Sequence, residues 1–227
     1  MATLGFDVYG TLIDTAGIAT ALERFVGPQA ADFARVWREK QLEYVFRRGV
    51  MGSRADFATC TNQALDYCCL RFRPDMSDAD REAVLGTYRE LPAFPDAKRG
   101  LEALSRTSAR LFAFSMGLAD DVAALLEGAS LDGYFEGFVG LAETGLLKPS
   151  PDAYAHFVQR TGTDREDAWL VSGNPFDVIG AVSAGINGAW VRRSADAVCD
   201  PWEIVPTVTV DAIDGLVPAL NLSPAAT

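Results

Sequence analysis

The segment Leu4–Leu12 constrains the fold and the chemistry of this chain more than any other. A short apolar run leads to a single carboxylate, Asp7, and Gly10 and Thr11 then turn the chain and offer backbone N–H groups and a hydroxyl. In an open α/β sheet, the reactive groups lie at the carboxyl ends of the strands. A carboxylate at such a position can act as a nucleophile, a base or a metal ligand. Tyr9 stands where an acid–base pair or a magnesium site would need a second carboxylate, so position 9 helps to distinguish these roles.

The composition predicts a protein with a substantial core. Of the 227 residues, 49% are hydrophobic, which suits one large domain or a core with a smaller insert. No stretch approaches the ~18 consecutive apolar residues of a membrane helix. The N-terminus lacks the basic and apolar regions of a signal peptide. We therefore expect a cytoplasmic protein.

The cysteines point to the same compartment. The chain has four of them without Cys-x-x-Cys spacing, namely Cys60, Cys68, Cys69 and Cys199. Their apolar neighbours favour buried free thiols in a reducing environment over zinc ligands or disulfides.

The net charge of −11 argues against a nucleic-acid partner. An acidic surface repels phosphate backbones. The pairs Arg47-Arg48 and Arg192-Arg193 are too short to form a basic patch, and we expect both pairs on solvated faces. Neither a nucleic acid nor a membrane is expected as a partner.

The periodicity of apolar residues predicts a strand, a long helical block, and then alternating strands and helices. The first strand covers residues 4–8, and the block from Thr15 to about Glu90 has little strand character. Within the block, helical spacing is clear over residues 31–46 and 56–70, and Ser77 is predicted to cap a helix that runs to about residue 90. Further strands are predicted at 110–114, 137–140, 168–172 and 188–191, with helices near 96–106, 119–127, 150–162 and 175–184.

This order predicts an α/β fold, with a Rossmann-like parallel sheet core and an inserted helical cap subdomain. The core comprises residues 1–14 and 93–227, and the cap comprises residues 15–92. Because the insertion leaves the core directly after Asp7–Thr11, the cap is expected over the end of the first strand. A cap there can exclude water and supply side chains from above.

Polar side chains follow the later strands as well. Ser115 ends one strand, Lys148 precedes a helix after the next, and Ser172, Asn174 and Asp177 follow the strand at 168–172. Each of these signals is weak by itself, since a serine at a strand end is usually part of a turn. Together with Asp7, the ordered set predicts one common active site.

This ordered set resembles the haloacid dehalogenase superfamily, whose pattern is an Asp-x-x-x-Thr loop, a Ser/Thr loop, a lysine and a final acidic loop. Phosphatases of that superfamily typically carry Asp-x-Asp-Gly-Thr, and Tyr9 breaks this pattern. The first loop reads Asp-x-Tyr-Gly-Thr-Leu, as in the L-2-haloacid dehalogenases. The segment Trp37–Tyr44 is similar to the one with which those enzymes bring an arginine onto the substrate. Lys148-Pro149 followed by Tyr154 also matches.

The resemblance implies a reaction through a covalent intermediate. Asp7 is the candidate nucleophile, which forms an ester with inversion at C2 of an (S)-2-haloalkanoic acid. Lys148 is expected to keep it ionised. Ser115, Thr11 and backbone amides are expected to hold the substrate carboxylate, and Arg38 to accept the halide or guide the anion.

The ester must then be hydrolysed to the (R)-2-hydroxy acid. A water held by Ser172, Asn174 and Asp177 is expected to attack the ester carbonyl, with Asp177 or its paired lysine as proton acceptor. Tyr154 is expected to hydrogen-bond Lys148 or Asp177. The apolar wall around C2 is assigned to Tyr9, Leu42, Phe57 and Phe176. No metal or other cofactor is expected, because the substrate lacks the clustered charge of a phosphoryl group.

Two positions depart from the family pattern. Met116 stands where these dehalogenases usually have an asparagine, and Phe176 replaces their usual tryptophan. Both changes make the expected leaving-group pocket, to which Met116 is assigned, less polar. They leave open a relative that acts on another carbon electrophile, such as the strained ring of azetidine-2-carboxylate. A magnesium-dependent phosphatase and a non-catalytic binding module are weaker alternatives. The resemblance also implies a homodimer.

Overall fold

A buried apolar strand, β1 (Thr3–Phe6), lies at the centre of the sheet. The structure is a computed structural model that describes residues 1–53 and 55–225. The other strands are β2 (Arg110–Ser115), β3 (Gly137–Gly140), β4 (Ala168–Ser172), β5 (Asn187–Val191) and β6 (Val208–Val210). Within the described residues they form one parallel sheet in the order β3-β2-β1-β4-β5-β6. The prediction of an α/β fold with a parallel sheet is confirmed.

The described helices fall into two groups along the chain. The first group lies between β1 and β2 and consists of α1 (Gly17–Val26), α2 (Ala30–Met51), α3 (Phe57–Phe72) and α4 (Asp78–Gly86), followed by a 3₁₀ turn at Thr87–Arg89. We call residues 15–92 the helical insert. The second group consists of α5 (Ala97–Ser105), α6 (Ala119–Gly128), α7 (Pro151–Thr161), α8 (Pro175–Ser183) and the short α9 (Leu216–Ala219). The predicted bounds of α5 to α8 are confirmed to within one residue.

Local chemistry explains where the helices of the insert begin and end. The Asp56 carboxylate accepts a hydrogen bond of 2.7 Å from the backbone N–H of Thr59 and caps α3. Ser77 and Asp80 form a reciprocal capping box at the start of α4, so the predicted Ser77 cap is confirmed. α2 continues five residues beyond the predicted end at residue 46 and stops at Gly52, which has a φ of 64°.

Two features of the sheet differ from the sequence-based prediction. β1 ends at Phe6 rather than at residue 8, because the chain turns at once: the N–H groups of Leu12 and Ile13 both bond to the carbonyl of Val8. The second feature is β6, which the periodicity did not reveal. It has only three residues and lies at the edge of the sheet, so it is too short for an alternating pattern to stand out.

The helical insert packs on the core above the carboxyl ends of β1 and β4. Phe46 of α2 makes an edge-to-face contact with Phe176 of α8, with ring centroids 5.1 Å apart. Arg89 forms an ion pair of 3.0 Å with Asp121 of α6. These contacts position the insert beside the loop that follows β1. Among the described helices, none is long and apolar enough to cross a membrane.

The four cysteines are free thiols, as expected, but they are not equally buried. Cys60 and Cys68 are buried, whereas Cys69 and Cys199 are half-buried, so the expected burial was wrong for the latter two. Burial raises the pKa of the Cys68 thiol to about 12, which keeps it protonated at neutral pH.

Candidate active site

The Asp7 carboxylate lies at the carboxyl end of β1, and its two oxygens have different surroundings. Oδ2 accepts hydrogen bonds from Thr11 Oγ1 at 2.8 Å, Asn174 Nδ2 at 2.8 Å and Ser172 Oγ at 3.4 Å. Oδ1 has a single hydrogen-bond partner among the described residues, Lys148 Nζ at 3.4 Å. The carboxylate is therefore held by one oxygen, and the other retains free lone pairs.

The loops after β1 and β4 are joined directly. The backbone N–H of Gly173 donates to Thr11 Oγ1 at 2.8 Å, and Asn174 Nδ2 donates to the carbonyl of Tyr9 at 3.1 Å. A Cβ at position 173 would overlap the carbonyl oxygen of Gly10, so this close approach requires glycine. The Thr11 hydroxyl donates to Asp7 Oδ2, and its role toward the substrate carboxylate stays a prediction.

Lys148 connects two carboxylates in the interior. Its ammonium lies 2.8 Å from Asp177 Oδ2 and 3.4 Å from Asp7 Oδ1, and it donates to the carbonyl of Phe114 at 3.1 Å. Its side chain is 1% exposed. Burial lowers the pKa of the ammonium, but the charges of Asp177 and Asp7 outweigh this effect, so the pKa is raised. Lys148 therefore places a positive charge beside Asp7 at neutral pH.

Tyr154 fixes the second carboxylate. Its hydroxyl lies 2.7 Å from Asp177 Oδ1 and 3.0 Å from the carbonyl of Asp177. Burial raises the pKa of Asp177, and the Lys148 charge and the hydrogen bond from Tyr154 oppose this rise. Burial also raises the pKa of Tyr154. Tyr154 thus binds one oxygen of Asp177 and Lys148 binds the other.

Ser115 ends β2 and Ser172 ends β4, the two strands that flank β1. Ser172 Oγ donates to Asp7 and accepts the N–H of Asn174 at 3.1 Å. Ser115 Oγ accepts the N–H of Gly117 at 3.1 Å, so its own proton is directed at no described residue. Of these two hydroxyls, that of Ser115 is available to a ligand.

The helical insert contributes Arg38, which reaches the core loops from α2. Its guanidinium donates to Gln41 Oε1 at 2.6 Å and to Asn174 Oδ1 at 3.4 Å. Burial lowers the pKa of Arg38, an effect opposed by Tyr88, Asp7 and Asp177. The arginine therefore faces the Asp7 carboxylate across the junction between insert and core.

Gln41 was not identified from the sequence, although it is fully buried. Its Nε2 donates to Thr61 Oγ1 at 2.6 Å, and the Thr61 hydroxyl donates to the carbonyl of Phe57 at 2.8 Å. A chain of hydrogen bonds thus runs from α3 through Gln41 to the Arg38 guanidinium. A signal was present: Gln41 lies three residues after Arg38, hence on the same helix face.

The expectation that Arg193 lies on a solvated face was wrong. Its side chain is 13% exposed, so Arg193 does not lie on a solvated face. Nε and Nη2 both donate to the carbonyl of Thr11, and Nη1 lies 2.7 Å from Asp96 Oδ1. The guanidinium also lies over the ring of Phe94, 4.1 Å from its centroid. Arg193 therefore supports the turn that carries Asp7.

Of the residues assigned to the apolar wall, Phe57 and Met116 pack against the same buried cluster of Val45, Cys60 and Leu147. Tyr9 and Phe57 line a pocket of about 400 Å³ between the insert and the core, whereas Leu42, Met116 and Phe176 do not line it. Met116 Sδ accepts the backbone N–H of Lys148 at 3.2 Å. Leu42 is half-buried on α2, next to Gln41. Phe176 contacts Phe46, which packs against the same buried cluster as Phe57 and Met116, and the assignment of the wall stays a prediction.

Comparison with known proteins gives consistent matches along the chain. The family described as haloacid dehalogenase-like hydrolase matches residues 1–185. Haloacetate dehalogenase H-2 of Moraxella sp. (strain B) is 31% identical over 214 residues, which cover 94% of this chain and 95% of that one. The (S)-2-haloacid dehalogenase of Xanthobacter autotrophicus is 36% identical over 190 residues, which cover 83% of this chain and 74% of that one.

A solved structure extends the likeness to three dimensions. The L-2-haloacid dehalogenase of Xanthobacter autotrophicus with chloropropionic acid covalently bound superposes with a TM-score of 0.88. Its sequence is 28% identical, and the match covers 97% of this chain and 99% of that one.

Proposed function

Since the chain belongs to the haloacid dehalogenase-like hydrolases, and within them to the L-2-haloacid dehalogenases, we propose that it hydrolyses short (S)-2-haloalkanoic acids to (R)-2-hydroxy acids. The observation that carries this proposal is the Asp7 carboxylate, which is bound through Oδ2 and open at Oδ1 beside the buried Lys148. A carboxylate held in this way can attack an electrophilic carbon. The covalent chloropropionic acid complex of the Xanthobacter autotrophicus enzyme supports the same chemistry.

In the first step, Asp7 Oδ1 attacks C2 from the side opposite the halogen. The new C2–O bond forms as the C2–halogen bond breaks, and the halide leaves with the bonding electron pair. The configuration at C2 is inverted. Lys148 keeps Asp7 ionised before the attack, and the hydrogen bonds to Oδ2 hold the carboxylate in a fixed orientation.

The positive and hydrogen-bonding groups around Asp7 have separate tasks in this step. The free hydroxyl proton of Ser115 and the amides of its loop bind the substrate carboxylate. Arg38, the half-buried cation of the insert, accepts the departing halide. Thr11 and Asn174 donate hydrogen bonds to Asp7 Oδ2 and orient the carboxylate.

In the second step, a water molecule attacks the carbonyl carbon of the Asp7 ester. Asp177 accepts a proton from the water, and the bond between the carbonyl carbon and the alkoxide oxygen then breaks. The departing alkoxide takes the proton from Asp177 to become the hydroxy acid, and Asp7 loses the second proton of the water to solvent, which restores its carboxylate. Tyr154 and Lys148 hold Asp177 in place for this task. General-base assistance of this kind is typically worth about 10²–10⁴-fold in rate.

The helical insert is proposed to act as a cap that carries Arg38 and covers Asp7. Its contacts with the core, between Phe46 and Phe176 and between Arg89 and Asp121, support this assignment of residues 15–92. A cytoplasmic location is proposed from the four free thiols. A homodimer is proposed from the family resemblance, and its test is the molar mass measured by light scattering during size-exclusion chromatography.

The direct test of function is halide release from the separate enantiomers of 2-chloropropanoate. We expect chloride and D-lactate from the (S) enantiomer and neither product from the (R) enantiomer. Haloacetate belongs in the same panel, because the Moraxella relative is named for it. The matched control is Asp7→Asn, which keeps the shape of the side chain but removes the nucleophile. If the native protein releases halide from none of these compounds, the proposal is overturned.

The covalent intermediate has a test of its own. In a single turnover in ¹⁸O-labelled water with enzyme in excess, the label enters the Asp7 carboxylate and the product remains unlabelled. Mass spectrometry of the Asp7 peptide and of the hydroxy acid separates this outcome from direct attack of water on C2, which would label the product at once.

A further inference from the structure

The pocket between the insert and the core is larger than the proposed three-carbon substrates require. Its volume of about 400 Å³ lies in the usual range for small-molecule pockets, about 300–1,000 Å³. It is lined by residues of α3, of the end of α4 and the following turn, and of the start of α6. A pocket at the junction of two structural units is a common site for a ligand.

The pocket adjoins the reaction site through residues that belong to both. Tyr9, two residues after Asp7, forms part of its wall, and so does Phe57. Gly117, whose N–H bonds to Ser115 Oγ, also lines it. A Cβ at Gly117 would lie 3.6 Å from the Tyr9 ring and 3.4 Å from Ser115 Oγ. The pocket therefore begins beside the loop that we assign to the substrate carboxylate.

The lining is mixed, since it combines apolar side chains with the polar Thr61 and Asn62 and the charged Glu82, Arg89 and Asp121. Leu85, Tyr88 and Leu118 contribute apolar surface, while Arg89, which is 62% exposed, pairs with Asp121. The Tyr88 ring packs edge-to-face on Tyr9, with centroids 5.9 Å apart. The apolar part of this lining suits a hydrocarbon chain that extends from a polar head group held at Ser115.

We propose that this pocket receives the alkyl chain of 2-haloalkanoic acids longer than propanoate and sets the preference for chain length. The proposal rests on the function proposed above and adds the substrate class that the site favours. The chain passes Tyr9 and Phe57 and lies against Leu85 and Leu118. Each methylene that moves from water into the pocket raises kcat/KM by up to about fourfold.

Gly86 offers a way to fill the pocket without disturbing the fold. It lies in the lining, has ordinary helical dihedral angles, and a Cβ added there meets no atom within 4 Å. Gly128 is the matched control, because it also ends a helix, also has open space at its Cβ, and lies outside the lining. Gly86→Leu and Gly128→Leu thus add the same side chain in comparable positions.

The experiment measures kcat/KM for the (S) enantiomers of 2-chloropropanoate, 2-chlorobutanoate and 2-chlorohexanoate. We expect kcat/KM to rise with chain length in the native protein and in Gly128→Leu. In Gly86→Leu the rise is lost, while kcat/KM for 2-chloropropanoate stays within about twofold of the native value. The proposal is overturned if kcat/KM falls with chain length in the native protein. It is also overturned if kcat/KM depends on chain length in the same way in Gly86→Leu and Gly128→Leu.

Two further readouts keep the result interpretable. Turnover of 2-chloropropanoate by the native protein tests the proposed function separately, because that substrate does not need the pocket. If Gly86→Leu does not fold, as judged by its melting temperature, Leu85→Ala takes its place. Leu85→Ala enlarges the pocket and must shift the preference toward longer chains, and an unchanged preference would overturn the proposal.

Discussion

The amide oxygen of the buried Gln41 accepts a hydrogen bond of 2.6 Å from the Arg38 guanidinium. Gln41 is held in turn by Thr61, so the position of the arginine is determined by a second helix of the insert. A cation that binds a halide only in the transition state must be positioned before the reaction begins. The contact therefore links packing within the insert to catalysis at Asp7.

Replacing Gln41 by Leu should weaken catalysis more than stability. The variant keeps the volume of the side chain but removes the acceptor of Arg38, and a hydrogen bond to a charged group is worth about 1.5–3 kcal/mol. We expect kcat/KM to fall by about 10–100-fold. The control is Gln63→Leu, which removes the acceptor of Arg48 in an exposed pair of the same kind. Additive effects of Gln41→Leu and Arg38→Lys in a double-mutant cycle would contradict this coupling.

Replacing Lys148 by Met should affect both activity and stability. The variant leaves Asp7 and Asp177 without their shared cation, and breaking a buried ion pair costs about 3–5 kcal/mol. We expect kcat to fall by about 10²–10³-fold and the denaturant midpoint to decrease. The control is Lys98→Met at an exposed lysine, which should leave both quantities unchanged.

The destabilisation by Lys148→Met should depend on pH in a defined direction. Burial already raises the pKa of Asp177, and without Lys148 it rises further, so folding favours the protonated carboxyl. The destabilisation of the variant relative to the native protein is therefore smallest at low pH and grows as pH rises through the pKa of Asp177. Unfolding curves at acidic and neutral pH check this, and an equal loss of stability at both would contradict the assignment.

The native enzyme should remain active well into the alkaline range. The pKa values of Lys148 and Tyr154 are both raised, so neither group loses its proton near neutrality. The stabilisation from Lys148 is fully present below the ordinary lysine pKa of about 10.4 and is lost only as pH rises through the higher folded-state pKa. We expect kcat/KM to show no alkaline decrease below about pH 10. A decrease near pH 8 with the fold intact by circular dichroism would be inconsistent with this.

Replacing Tyr154 by Phe should slow the hydrolysis of the ester and move the acidic side of the pH profile. The hydrogen bond from Tyr154 lowers the pKa of Asp177, so its loss raises that pKa and the rate begins to fall at a higher pH. We expect kcat to decrease by about 10–100-fold. Tyr134→Phe, at a half-buried tyrosine of a surface turn, is the control. If the profiles of the native protein and Tyr154→Phe coincide, Asp177 is not the base.

The regular elements could be predicted where a local pattern was strong. The strands at 137–140 and 168–172 and the helices α5 to α8 follow from apolar periodicity, and the start of α4 follows from the capping residue Ser77. The early end of β1 and the edge strand β6 could not be predicted, since both depend on what the neighbouring chain segments bond to. Arg193 was misjudged for the same reason: its partners Thr11 and Asp96 are remote in sequence.

By itself, the sequence determined which reactive groups the protein carries and the order in which the strands present them. Asp7, Ser115, Lys148 and Asp177 each follow a local pattern that places them at or after a strand end. Only the tertiary structure decided which oxygen of Asp7 is free and which residues hold Arg38. Asn174 and Asp7 are 167 residues apart in sequence and 2.8 Å apart in space. Contacts of this kind arise from the packing of separate elements, which no local pattern of residues records.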